Sequence, residues 1–372
     1  MLFLRKIGAV GAASLILGVS AHAQTQTIGG LLPTSQNQPS RQGTRGGNFL
    51  HIGVGARNGA MGGSVLTSVS GPTAWFTNPA GAAASEGLSL TAGYQKLYDD
   101  LDIGQAYFGA NLPLLGGVVG VTLNTLNSGD MLRTDELNPF GQRLGGSTFA
   151  WTSNVAGVGY ARRLTDKFNM GFQVKYISEG ITDAGTSWIA GDVGTQFNTG
   201  LYGITIGGSI QNVGGSAHAG GPLLSRVVST TDGSAIRETR RVNVFTLQTE
   251  IPVTFQFGVG AEILGTANAL LGGAGGKNTL SAEFSANDAT DQSTQYGFGA
   301  EYGFRNVLYL RGGKRIFGDQ RSTGVSNGAT NGLAGGFGIR LPLGGRSLKF
   351  DYSYQGAGAL KNIQIFSFEV GR

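Results

Sequence analysis

From Leu88 to the C-terminus the dominant pattern has a period of two. In Phe168-Asn169-Met170-Gly171-Phe172-Gln173-Val174-Lys175-Tyr176 the large apolar residues fall on one face, and Asn, Gly, Gln and Lys fall on the other. The alternation recurs in Phe255–Ile263, Tyr296–Tyr302 and Leu348–Tyr354. Each run is about the 9–11 residues that a tilted strand needs to cross a bilayer. The same template finds strands near 88–98, 102–113, 118–128, 149–163, 168–180, 187–199, 202–213, 253–264, 278–287, 293–304, 307–317, 331–341, 347–355 and 362–371, fourteen in all. Alternation is weakest in 149–163 and in 307–317, which carries Arg311, Lys314 and Arg315.

The connections alternate too. Long ones such as 129–146, 214–252 and 318–330 follow odd strands, and short ones such as 114–117, 164–167, 305–306 and 342–346 follow even strands; 265–276 is an exception. Membrane barrels show this asymmetry, with short periplasmic turns and longer outer loops. The expected fold is all-β: a transmembrane antiparallel barrel of about fourteen strands, both termini on the short-turn side. A β-sandwich would carry more charge on its polar faces, and a propeller or solenoid would show a fixed repeat.

Composition sharpens the reading. Only 13% of the 372 residues are charged, against about 25% in an ordinary soluble domain. The 66 glycines follow no collagen-like period and alternate with Phe, Tyr, Ile and Val. Arg5 and Lys6, the apolar run Ile7–Val19 and Ala21-His22-Ala23 read as a cleavable export leader, residues 1–23. A polar, flexible segment is expected over 24–47 and a compact hatch over 48–87, ahead of the barrel at 88–372. The absence of cysteine excludes thiol chemistry, and a formal charge of +5 is too small over this length to argue for nucleic acid.

Few residues suggest chemistry. Gly53–Gly63 does not meet the dinucleotide-binding spacing, and the Gly275-Gly276-Lys277-Asn278 turn lacks the first glycine and the final Ser or Thr of a phosphate loop. After processing only His51 and His218 remain, so a histidine metal site or triad has little support. Asp99, Asp100 and Asp102 read as a solvated turn before a calcium site. Arg237, Arg240 and Arg241 crowd the longest loop, where they could meet lipid phosphates or a partner's acids. Lys175, Glu262, Glu301, Arg311, Arg340 and Asp351 point inward and must pair or line water. Pairing that secures a plug is the simpler reading, and a conduction path the sharper one. In the hatch, Pro72 and Pro79 suit first helical turns and Asn78 suits a cap, with Trp75 and Phe76 as apolar anchors and Ala80-Gly81 completing a motif fit to fill a barrel mouth.

Ile52–Arg57, Ala60-Met61-Gly62-Gly63 and Asn78-Pro79-Ala80-Gly81, with the closing strands Gly336–Arg340 and Lys349–Tyr354, resemble the PorV/PorQ family of outer-membrane proteins, relatives of the FadL-type channels. The resemblance spans about residues 48–372. It implies a fourteen-stranded FadL-like barrel in the outer membrane, without enzymatic activity or cofactor. It also implies a type IX secretion role, in which outer loops meet a translocon or the C-terminal signal domain of a cargo. The alternative is a FadL-like channel for long-chain fatty acids or other hydrophobic molecules. Thr77 stands where the family usually has an aromatic residue before Asn-Pro.

Overall fold

The computed structural model describes residues 43–134, 139–141, 147–230, 238–272, 277–318 and 330–371; the leader, residues 24–42 and Arg237 lie outside the described residues. The alternating runs form fourteen strands: β1 (Ser89–Leu97), β2 (Ile103–Leu114), β3 (Gly117–Asn127), β4 (Thr152–Arg163), β5 (Phe168–Ile181), β6 (Ala184–Asn198), β7 (Ile204–Gly214), β8 (Thr254–Leu264), β9 (Asn278–Ala289), β10 (Gln295–Phe304), β11 (Leu308–Phe317), β12 (Leu333–Leu343), β13 (Arg346–Gly356) and β14 (Asn362–Gly371). Each pairs antiparallel with its neighbours, and β1 closes on β14 from Leu90↔Val370 to Leu97↔Ile363. Closure removes every sheet edge, so the strand backbones are satisfied without water. The expected fourteen strands coincide with these to within three residues at each end.

Alternation decides which way each side chain faces. Val121 and Leu123 on β3, Phe172 and Val174 on β5, and Phe366 and Phe368 on β14 are exposed, whereas Thr122, Gln173 and Ser367 between them are buried. Aromatic residues pair across neighbouring strands on the outside, Phe350 with Phe368 at 5.0 Å between ring centres and Phe284 with Phe298 at 5.0 Å. An exterior that is apolar all round is stable against lipid and not against water. In β11, one of the two weakest expected strands, Leu308 and Leu310 are exposed while Arg311 lines the interior. Charge on the inner face does not conflict with a membrane strand.

The two-residue turns Leu115-Gly116 and Gly344-Gly345 have positive φ at both positions, the backbone twist that tight hairpins require. At the opposite end, loop 215–253 carries two small ribbons, Ser216–Ala217 with Thr249–Glu250 and Ser225–Thr230 with Glu238–Asn243.

The segment before β1 runs through the lumen. Gly46 N–H bonds Glu250 O at 2.9 Å, Gly47 N–H bonds Glu179 at 2.9 Å and Arg45 pairs with Glu250 at 2.5 Å, all at the long-loop end. From there the chain descends through Ala56–Ala60, Pro72–Phe76 and Pro79–Ala84 to Ser89 at the short-turn end. The C-terminal strand ends at the short-turn end, and the first described residues lie at the other end; the expected position of the N-terminus itself falls outside the described residues. The physical reason is that the plug enters at one mouth and must reach the opposite one to start β1.

Candidate functional site

Small residues on the wall make the seat of the plug. Trp75 lies against Gly120 and Gly159, where a Cβ would overlap its ring, and its Nε1–H donates to Asn111 Oδ1 at 2.5 Å. A Cβ on Gly299 would sit 2.6 Å from Met61 O, and one on Gly171 would sit 2.5 Å from Pro79 C. The inward glycines thus let the plug backbone approach closer than any side chain would permit. This accounts for glycine at these polar-face positions of the wall.

Wall side chains then satisfy the plug's exposed backbone. Glu283 accepts from Thr67 N–H and Ser68 Oγ–H, each at 2.6 Å. The Gln196 amide donates to Leu66 O and Val69 O at 3.2 and 3.1 Å, and Gln211 donates to Thr77 O at 2.6 Å. Asn78 accepts from Ala80 N–H at 3.2 Å, capping the turn that Pro79 begins, while its own amide donates to Leu66 O at 2.9 Å and to Thr195 O at 3.0 Å. Phe76 meets Tyr107 edge-on at 5.6 Å. Trp75, Phe76, Asn78, Pro79, Ala80 and Gly81 therefore lie inside the lumen, in its short-turn half. Trp75 and Pro79 rest on Gly120 and Gly171, each three residues in from the short-turn end of its strand.

Most of the inward charges pair. Arg311 bridges Glu301 and Asp351 at 2.5 Å each, and Arg57 of the plug joins Glu301 at 2.9 Å. Burial alone would lower the Arg57 guanidinium, but the charge and hydrogen bonds of Glu301 outweigh it and push its pKa above the ordinary range. Lys175 pairs with Asp192 at 2.8 Å and donates to Asn212 at 2.6 Å, where β6 and β7 slip register. Glu262 accepts from Thr266 at 2.6 Å, and the Arg340 guanidinium stands 5.7 Å from the Tyr309 ring centre. All of these except the Lys175, Asp192 and Asn212 group line a charged cavity of about 420 Å³ on the short-turn side of the plug. Arg57, Glu283 and Asp192 escape a reading by residue type, although the inward positions of Glu283 and Asp192 follow from the parity of β9 and β6.

The remaining candidates are scattered. Asp100 pairs with Lys361, Asp99 stands 3.7 Å from Lys96, His51 meets Asp291 at 3.0 Å and His218 meets Thr246 O at 2.7 Å. Among the described residues no three potential metal ligands converge. Arg240 and Arg241 lie opposite Val228 and Val227 in the loop ribbon.

At the long-loop end, Phe49, Leu126, Trp151 and Trp188 line a cleft of about 580 Å³. It rests on a buried apolar cluster of Leu97, Val155, Ile177, Ala190 and Ile251 joined to Phe49, Leu126 and Trp188. Polar cavity, seated plug and aromatic cleft thus follow one another along the lumen.

No protein-family model matches the chain, and no curated protein matches it in sequence. Solved structures do match in shape. The Pseudomonas putida toluene transporter TodX is 13% identical with a TM-score of 0.51, covering 86% of this chain and 96% of its own. The Ralstonia pickettii toluene transporter TbuX is 14% identical with a TM-score of 0.52, covering 86% and 97%. A Pseudomonas aeruginosa FadL homologue aligns at 10% identity and a TM-score of 0.48, covering 85% and 97%. The chain has the fold of the two toluene transporters: a closed, fourteen-stranded antiparallel barrel.

Proposed function

We propose that this chain is a non-enzymatic outer-membrane channel protein that takes up hydrophobic small molecules, with its long loops facing outward. The observation that carries the reading is the aromatic cleft at the long-loop end, whose volume falls within the roughly 300–1,000 Å³ typical of small-molecule sites. Trp151 and Phe49 offer apolar contact, while Ser153, Thr186 and Thr249, with the charged Arg45 and Glu179, supply the polar groups. The charged cavity on the other side of the plug is a poor place for a hydrocarbon, since its buried ions would lose water without gaining partners. The fold shared with toluene transporters and the export leader support the same reading. Uptake of labelled toluene and of labelled long-chain fatty acids, compared between wild-type cells, a deletion strain and Trp151→Ala, tests it. Equal uptake of both probes in wild type and deletion overturns it.

A second reading follows from loop 215–253, where Phe245 and Leu247 are 83% and 86% exposed beside Arg240 and Arg241. A sticky basic loop suits a protein partner, and the likeness to PorV/PorQ sequences names one: a type IX translocon or a cargo C-terminal signal domain. Co-purification of a larger secretion barrel, lost on deleting 240–247, is the expected result. Unchanged cargo export and surface attachment in a deletion strain refutes this reading.

A further inference from the structure

We propose that the small pocket between plug and wall at Arg315 binds one small monovalent inorganic anion of the chloride class. The pocket lies in the long-loop half, among Gly53, Asn58 and Gly63 of the plug and Gln256, Tyr296 and Arg315 of the wall. None of the residues lining it is an aspartate or glutamate. Unlike Arg311, which holds two carboxylates, the Arg315 side chain has no ion pair or hydrogen bond among the described residues. A guanidinium lining a barrel with no counter-charge among the described residues is costly, and it cannot escape by losing its proton. Tyr98, the nearby acid that senses Arg315, stays neutral because burial pushes its phenol above the ordinary value.

The geometry supplies donors around one open point. A Cβ on Gly53 would stand 2.8 Å from Asn58 Nδ2 and 3.8 Å from Arg315 Nη2, and one on Gly63 would stand 2.9 Å from Arg315 Nη2. Two glycines therefore keep open the space that these N–H groups face. Asn58 already turns its NH₂ group toward this space, and Gln256, whose Oε1 is buried without a partner, presents its own NH₂ group by turning over. The volume sets the class of ligand. A cavity of about 60 Å³ has room for a halide and is small beside the roughly 300–1,000 Å³ of sites that take drug-sized molecules. Because Asn58 belongs to the plug and Arg315 and Gln256 to the wall, the anion acts as a clasp between them. This inference is independent of what the aromatic cleft takes up.

The test uses the full mature protein in neutral detergent. Heat unfolding is compared in sodium chloride, sodium gluconate and sodium decanoate at one ionic strength, and bromide is located by anomalous scattering in crystals. Chloride, and neither gluconate nor decanoate, is expected to raise the unfolding temperature, with bromide between Arg315 and Asn58. Arg315→Gln should abolish the chloride increment. Asn58→Asp supplies a protein carboxylate to Arg315, so it should make stability independent of chloride and raise it in gluconate. The proposal fails if the chloride increment persists in Arg315→Gln and Asn58→Asp, if decanoate matches chloride, or if bromide is absent from the pocket or is an adventitious ion only, with no chloride effect in solution.

Discussion

Trp75→Ala tests whether the plug is held by its seat or merely occupies the lumen. Trp75 is 1% exposed, rests on Gly120 and Gly159, and donates to Asn111 at 2.5 Å. Truncating a buried tryptophan costs about 3–5 kcal/mol, and the orphaned Asn111 oxygen adds to that. None of this touches the strand ladders, so the loss falls on local opening of the plug. Even 3 kcal/mol is roughly a 100-fold rise in the opened population. Hydrogen–deuterium exchange of the detergent-solubilised protein reads it: peptides covering 56–84 should exchange about two orders of magnitude faster, while β3 to β6 keep their wild-type protection. The converse change, Gly120→Ala, drives a methyl group into the same ring and costs about 1–3 kcal/mol by overpacking. In the double variant the methyl meets empty space, so the two effects must not add. Plug exchange unchanged in Trp75→Ala, or simple additivity of the pair, refutes the seat.

Glu301→Ala leaves Arg57 and Arg311 short of a shared carboxylate and should destabilise by about 3–5 kcal/mol, read as a lower urea midpoint and faster exchange at 56–60; Glu301→Gln should lose less. Lys175→Met or Asp192→Leu alone should cost a similar amount in the wall, whereas the double change should be close to neutral in a heat-modifiability gel. Val174→Lys puts a charge on the lipid side at mid-strand and should cost about 2–4 kcal/mol in refolding into bilayers, with no such loss for a lysine at Asn198. Since the chain has no cysteine, Asn48→Cys should react with an impermeant maleimide on intact cells and Arg305→Cys only after lysis; the reverse pattern would invert the barrel.

Strand number and facing were legible because they depend on a local rule. In lipid every second residue of a strand must be apolar, so Phe172, Val174 and Tyr176 declare their side without knowledge of their neighbours. Turn lengths were equally local. The plug's Pro72 and Pro79 also announced short helical turns, but not their depth in the lumen.

The sequence by itself thus determined a fourteen-stranded barrel with an apolar exterior, a glycine-rich polar interior and a non-strand segment ahead of it. Tertiary structure decided what the interior was for. Arg57 and Glu301 lie 244 residues apart in sequence and meet only because barrel closure and register bring β10 to the plug. Gly120 and Gly159 look alike on paper to the turn glycines, and only the position of Trp75 distinguishes a seat from a hinge. The same holds for Arg315, whose pocket shows no aspartate or glutamate among the described residues only once plug and wall are brought together. Lipid acts on one residue at a time, whereas the lumen is a mutual fit among residues far apart in the chain.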